Sequence, residues 1–137
     1  MRTGIVNLAH NRYSYSDSRQ TVNIPANATS ATLSFWIYAS SGEVASLPLP
    51  EIPSWDTFGQ APLASDLQYL LILDQNQNWI DTLIWQRSNS QVWKYFEFSL
   101  KKFAGKTIKI QFGTYNDGYS GITSMYFDDV ILNICQP

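Results

Sequence analysis

A strict two-residue period runs through Thr107-Ile-Lys-Ile-Gln-Phe112: Ile108, Ile110 and Phe112 fall on one side of an extended chain, Lys109 and Gln111 on the other. Only a β-strand turns that spacing into a single apolar face, because successive side chains on a strand point opposite ways. The same period returns in Ala31-Thr-Leu-Ser-Phe-Trp-Ile-Tyr-Ala39, where Leu33, Phe35, Ile37 and Ala39 alternate with Ser34, Trp36 and Tyr38, and again from Val92 to Leu100. No stretch carries helical periodicity, heptads or an internal repeat. Short alternating runs separated by turn residues predict an all-β, antiparallel two-sheet sandwich.

The remaining segments fit that class. Leu67-Gln-Tyr-Leu-Leu-Ile-Leu-Asp74 is nearly continuous in apolar side chains and reads as a central strand covered on both faces. The polar turn Asp74–Asn78 joins it to Trp79–Trp85 as a hairpin. Residues 1–24 are polar, with Tyr13, Tyr15 and Val22 giving a loose alternation for one or two short strands. Residues 40–65 hold Pro48, Pro50, Pro53 and Pro62 and predict a long loop without strand or helix. Lys101–Lys106 reads as a tight turn, or at most one helical turn ending at Gly105.

The 137 residues make one domain's worth of chain, enough for one core. A net charge of −2 gives no basic stripe, which argues against nucleic acid or an anionic membrane as partner. No run approaches the ~20 apolar residues of a membrane span. Cys135, the single cysteine, cannot form an internal disulfide. The start, Met1-Arg-Thr-Gly-Ile-Val-Asn, carries no secretory signal and fits either a cytoplasmic protein or a domain taken from a longer exported chain.

Two groups of side chains carry chemistry. In Thr123-Ser-Met-Tyr-Phe-Asp-Asp-Val-Ile-Leu132 adjacent aspartates interrupt an apolar strand, so one of them is expected to point inward, and Asp128 is the candidate. A carboxylate on an apolar face needs hydrogen bonds, a pairing or a cation. The second group is aromatic: Trp36 and Tyr38 lie opposite the core face of their strand and Tyr115 lies opposite Phe112, so a cleft lined by Trp36, Tyr38 and Tyr115 is the candidate ligand site. Rings exposed on a sheet stack on sugars, although most aromatics in a small sandwich are core packing. Catalysis is not expected. His10, in a polar segment near the end of the chain, is the only histidine, which excludes a multi-histidine metal site and leaves a serine triad with no well-placed base, and Asp128 and Asp129 point to opposite faces.

Three pieces, in order, carry a resemblance: Ala31-Thr-Leu-Ser-Phe-Trp36; Trp93 followed by Phe98-Ser-Leu-Lys-Lys-Phe-Ala-Gly-Lys-Thr-Ile-Lys-Ile-Gln-Phe112; and Ser124-Met-Tyr-Phe-Asp-Asp-Val-Ile-Leu132. Over most of residues 31–133 the chain resembles the jelly-roll accessory domains of secreted bacterial peptidases and glycoside hydrolases, akin to MAM, immune-inhibitor-A-type and carbohydrate-binding modules. The opening residues depart from that pattern, which would place a further Gly/Asn-rich strand ahead of Met1. The resemblance implies a galactose-binding-like or MAM-like jelly roll within a secreted multidomain protein. It also implies a non-catalytic role in attachment to a glycan or protein surface, or alternatively as a spacer packed against a catalytic neighbour. It further implies a structural cation, calcium foremost, carried over onto Glu43, Asp66 and Asp128.

Overall fold

A computed structural model of the chain describes residues 1–53 and 62–137. Its strands are β1 (Arg2–Gly4), β2 (Tyr13–Asn23), β3 (Ser30–Ser41), β4 (Leu67–Asp74), β5 (Trp79–Gln86), β6 (Trp93–Ser99), β7 (Thr107–Asp117) and β8 (Thr123–Cys135). They form two four-stranded antiparallel sheets, ordered β1-β8-β3-β6 and β2-β7-β4-β5. Of the connections, only β4–β5 stays within a sheet; each of the others crosses to the opposite sheet. Two packed antiparallel sheets are what the alternation predicts, and their strand order is that of an eight-stranded jelly roll.

The core lies where the two alternations meet. Leu33, Phe35, Ile37 and Ala39 of β3 face Leu70 and Ile72 of β4 and Ile108, Ile110 and Phe112 of β7, all almost fully buried. Phe35 contacts the rings of Phe96, Phe98 and Phe112, with centroids 5.7, 6.1 and 5.0 Å away, and Phe112 stacks on Phe127 at 4.3 Å. Aromatic contacts therefore join the two sheets as well as neighbouring strands. Buried Gln68 adds a polar tie, its Nε2 donating to the carbonyls of Ser88 and Ser124 at 3.0 Å each and its Oε1 accepting from the Ser88 amide at 2.9 Å.

Strand β4 is covered on both faces, as its continuous apolar run predicts. Its outward residues Leu67, Tyr69, Leu71 and Leu73 form a second cluster with Tyr115, with Tyr15, Leu63, Trp79 and Trp85 packed against it. The β3–β4 connection lies over this face. Trp85 Nε1 donates to Pro50 O at 2.7 Å, Tyr115 Oη accepts from the Leu63 amide at 2.9 Å, and Arg87 donates to Leu47 O and Ser65 Oγ. The predicted loop begins two residues late, since Ser40 and Ser41 still belong to β3; its described remainder contains no strand or helix, and residues 54–61 of it lie outside the described residues.

One expectation fails on β8. Met125 and Phe127 lie in the core at the start of the strand, whereas Leu132 and Ile134 pack against it at the end, so the phase of alternation reverses between them. The reversal falls where Ser34 pairs with Ile131 but Trp36 pairs with Asp128, leaving one extra residue on β8, with Asp129 at φ 50°. This is a β-bulge, and aspartate tolerates its left-handed backbone. Neither aspartate points into the core. Asp128 is exposed, and its Oδ1 accepts a hydrogen bond from the Asp129 amide at 2.8 Å.

Gly113 of β7 is required by packing. A Cβ there would sit 2.2 Å from Cζ of Tyr69, its partner on β4, and that ring is fully buried. Gly113→Ala should cost about 1–3 kcal/mol in denaturant melts, the range for overpacking. The loss should shrink when Tyr69→Leu removes the ring; an equal loss in both backgrounds would mean the clash is not the cause.

Candidate functional site

The jelly-roll crossings bring four chain segments to one end of the sandwich: the two ends of the β3–β4 loop, the end of β7 and the start of β8. Close approach there is set by Gly121, where a Cβ would stand 2.0 Å from the Gly42 carbonyl, and by the Gly42 amide donating to Ile122 O at 2.9 Å. Each segment contributes oxygen. Glu43 and Asp66, at the two ends of the loop, and Asp117, at the end of β7, offer carboxylate oxygens within 4.8 Å of one another, a cluster that could hold a metal ion.

Asp66 is the centre of this group and has no solvent exposure. Its Oδ1 accepts from the Asp117 amide at 2.8 Å and its Oδ2 from Thr123 Oγ1 at 2.7 Å, while its own amide donates to Glu43 Oε2 at 3.4 Å. Thr123 Oγ1 also lies 2.8 Å from Ser41 Oγ. Among the described residues no lysine or arginine is in ion-pair contact with any of the three carboxylates. Burial therefore dominates, and it pushes the Asp66 carboxyl up to about 7 against the pull of its hydrogen bonds, with the Glu43 and Asp117 charges adding to the rise.

Of the expected cation ligands, Glu43 and Asp66 are thus brought together and Asp128 is not. Asp128 follows the buried Phe127 and so lies on the outer face of the β1-β8-β3-β6 sheet, in register with Trp36. Asp117 takes the third place. It follows a strand with clean alternation and precedes Gly118, so in sequence it looks like a turn residue; only the crossing of β7 into β8 shows that it meets the loop.

The expected aromatic cleft is also corrected. Trp36 and Tyr38 do lie on the outer face of their sheet, but Tyr115 belongs to the other sheet, fully buried beneath the β3–β4 loop and hydrogen-bonded to Leu63. Its outward position was legible; the loop that covers it was not. The partners of Trp36 and Tyr38 are instead Tyr95, Trp93 and Tyr126. The strand register sets one row across the sheet as Tyr126–Tyr38–Trp93, with ring centroids 6.0 and 5.8 Å apart, and the next row as Asp128–Trp36–Tyr95, with the rings 5.4 Å apart. Trp36, Trp93 and Tyr95 are 40, 48 and 52% exposed, which makes this a continuous aromatic surface open to solvent. Tyr95 and Glu97 are linked by a 2.9 Å hydrogen bond at its margin. By contrast Trp79 and Trp85 stack on each other over the second cluster and serve packing.

No protein-family model and no curated protein matches the chain. No helix among the described residues is long and apolar enough to cross a membrane.

The raised carboxyl of Asp66 has a sign. An ordinary aspartate titrates near 3.8 and Asp66 in the fold near 7, so between these values the folded chain holds a proton that the unfolded chain releases. Without added metal, this group makes stability fall as pH rises through that window. Denaturant melts in chelator should show the decline, and Asp66→Asn should flatten it; an unchanged slope in the variant would assign the titration elsewhere.

Proposed function

We propose that this jelly roll is a non-catalytic binding module that attaches to carbohydrate through the outer face of its β1-β8-β3-β6 sheet. The observation that carries this reading is the row of outward-facing rings Tyr126–Tyr38–Trp93 with Trp36 and Tyr95 beside it, Trp36, Trp93 and Tyr95 exposed and the two others half-buried. Apolar rings of this size gain by leaving water, and a sugar ring offers a flat C–H face to meet them. Carboxylates at the margin, Asp128 and Glu97, supply acceptors for hydroxyl groups. Such a module belongs in an exported, multidomain protein, where it would hold a partner domain to its substrate.

Calcium suits the cluster of Glu43, Asp66 and Asp117. The donors are all oxygen, three of them anionic, with Thr123 Oγ1 beside them, which matches a hard cation and not the nitrogen and sulfur sites of zinc or copper. A bound ion would neutralise carboxylates that otherwise repel one another. The residues themselves tie the β3–β4 loop to β7 and β8, so the role is structural. A glycosidase pair is disfavoured because both oxygens of buried Asp66 are already engaged by Asp117 and Thr123.

Titration of intrinsic tryptophan fluorescence against soluble polysaccharides, alongside a glycan array, tests the binding. A saturable response that Trp36→Ala and Trp93→Ala each weaken about tenfold, in the manner of interface hot spots, is expected. A folded chain that responds to no sugar would favour the spacer role. For the cation, chelator should lower the melting temperature, calcium should restore it, and Asp66→Asn should abolish the response. A melt that chelator leaves unchanged rejects the metal.

A further inference from the structure

Strand β2 departs from the pattern of a sandwich. Its register with β7 pairs Ser14 with Asn116 and Ser16 with Thr114, whose side chains face between the sheets, yet both β2 positions are serine. Polar residues at inward positions of an edge strand contradict the alternation that builds the core, and such local conflicts mark functional sites. Ser14 Oγ is shielded from solvent and has no hydrogen-bond partner. An unsatisfied buried hydroxyl is costly, which points to a group that completes it.

Beside these serines lies a polar groove of about 610 Å³ between β2 and the segment that follows β1. That volume is in the range of small-ligand sites. Arg2, Arg12 and His10 line it, and its one acidic lining residue, Asp17, is engaged by Arg19 at 3.3 Å. Among the described residues neither Arg2 nor Arg12 is in an ion pair. Two guanidiniums outside any ion pair thus line one groove of a chain whose net charge is −2, a local concentration of positive charge. Arg2 also stands opposite Tyr126 in the β1–β8 pairing, so the groove begins where the aromatic row Trp93–Tyr38–Tyr126 ends.

We propose that the saccharide taken by the aromatic face is anionic, and that its carboxylate or sulfate group sits in this groove against Arg2, Arg12 and the Ser14 hydroxyl. The assignment rests on the aromatic face as the sugar platform. Guanidinium groups bind either oxyanion through paired N–H donors, and the contacts weaken with salt. A neutral sugar of the same length gains the stacking alone.

Calorimetric titrations of the intact chain with oligogalacturonide, with a sulfated galactan oligomer and with a neutral glucan of equal length separate the contributions. One or both acidic oligomers should bind about tenfold more tightly than the neutral one, and the better of the two names the oxyanion. Arg12→Gln and Arg2→Gln should each reduce that preference severalfold and Ser14→Ala should weaken it, while binding of the neutral glucan stays as in the parent chain. Equal binding of acidic and neutral oligomers, or a preference that survives both arginine substitutions, overturns the groove. If Trp36→Ala removes all binding in that case, the platform stands without it. Acidic binding lost in the arginine variants but untouched by Trp36→Ala and Trp93→Ala supports the groove and removes the platform. Binding of none of the three overturns the proposal.

Discussion

Strand β3 has one face in the core and one in water, and its two-residue period leaves no freedom to exchange them. Leu33, Phe35, Ile37 and Ala39 are buried to within 2% of completely, and a slip of one residue would turn all of them outward. Burial of that set therefore fixes Trp36 and Tyr38 on the outside. The rest of the sheet accepts the same register, so Trp93 and Tyr95 of β6 and Tyr126 of β8 are delivered to positions beside them. The core thus determines where the aromatic surface lies. Contiguous exposed apolar patches are enriched at interaction sites, which is why the proposed binding face is placed here.

At one end of the sandwich a different constraint operates. The jelly-roll crossings must close between β7 and β8 and between β3 and β4, and both closures meet at Asp66. Its carboxylate accepts from the Asp117 backbone and from Thr123, and Glu43 accepts from its amide, so one residue holds three separate segments. The cost is a buried group with two other carboxylates close by, which makes this end the electrostatically strained part of the fold. A proton or a hard cation relieves that strain in different pH ranges. Neither is needed to form the hydrogen bonds, which explains how the closure can be structural while its stability depends on the medium.

Much of this was legible in the chain. Period two in β3 and β7, the continuous run of β4 and its hairpin with β5 each had a single physical reading, because burial and strand geometry act locally. Where the reading failed, the cause was non-local. Asp128 and Asp129 look like an inward and an outward residue until the bulge opposite Phe35 inserts one residue and reverses the phase of β8. Tyr115 has the outward position its spacing predicts, but the proline-containing loop folds over it and turns a surface ring into a buried one. Asp117 and the inward serines of β2 carry no periodic signal; topology alone brings the first to Glu43 and Asp66 and shows the second to be misplaced for a core.

The tryptophans of the two sheets differ in what surrounds them. Trp79 and Trp85 stack beneath the loop side of the fold, while Trp36 and Trp93 face solvent on the other sheet. Their indole N–H signals, resolved and assigned by single substitution in a heteronuclear NMR titration with soluble oligosaccharides, report the binding face directly. Saturable shifts of Trp36 and Trp93, with Trp79 and Trp85 unmoved, are predicted. Shifts confined to Trp79 and Trp85 on oligosaccharide binding would contradict the proposed binding face.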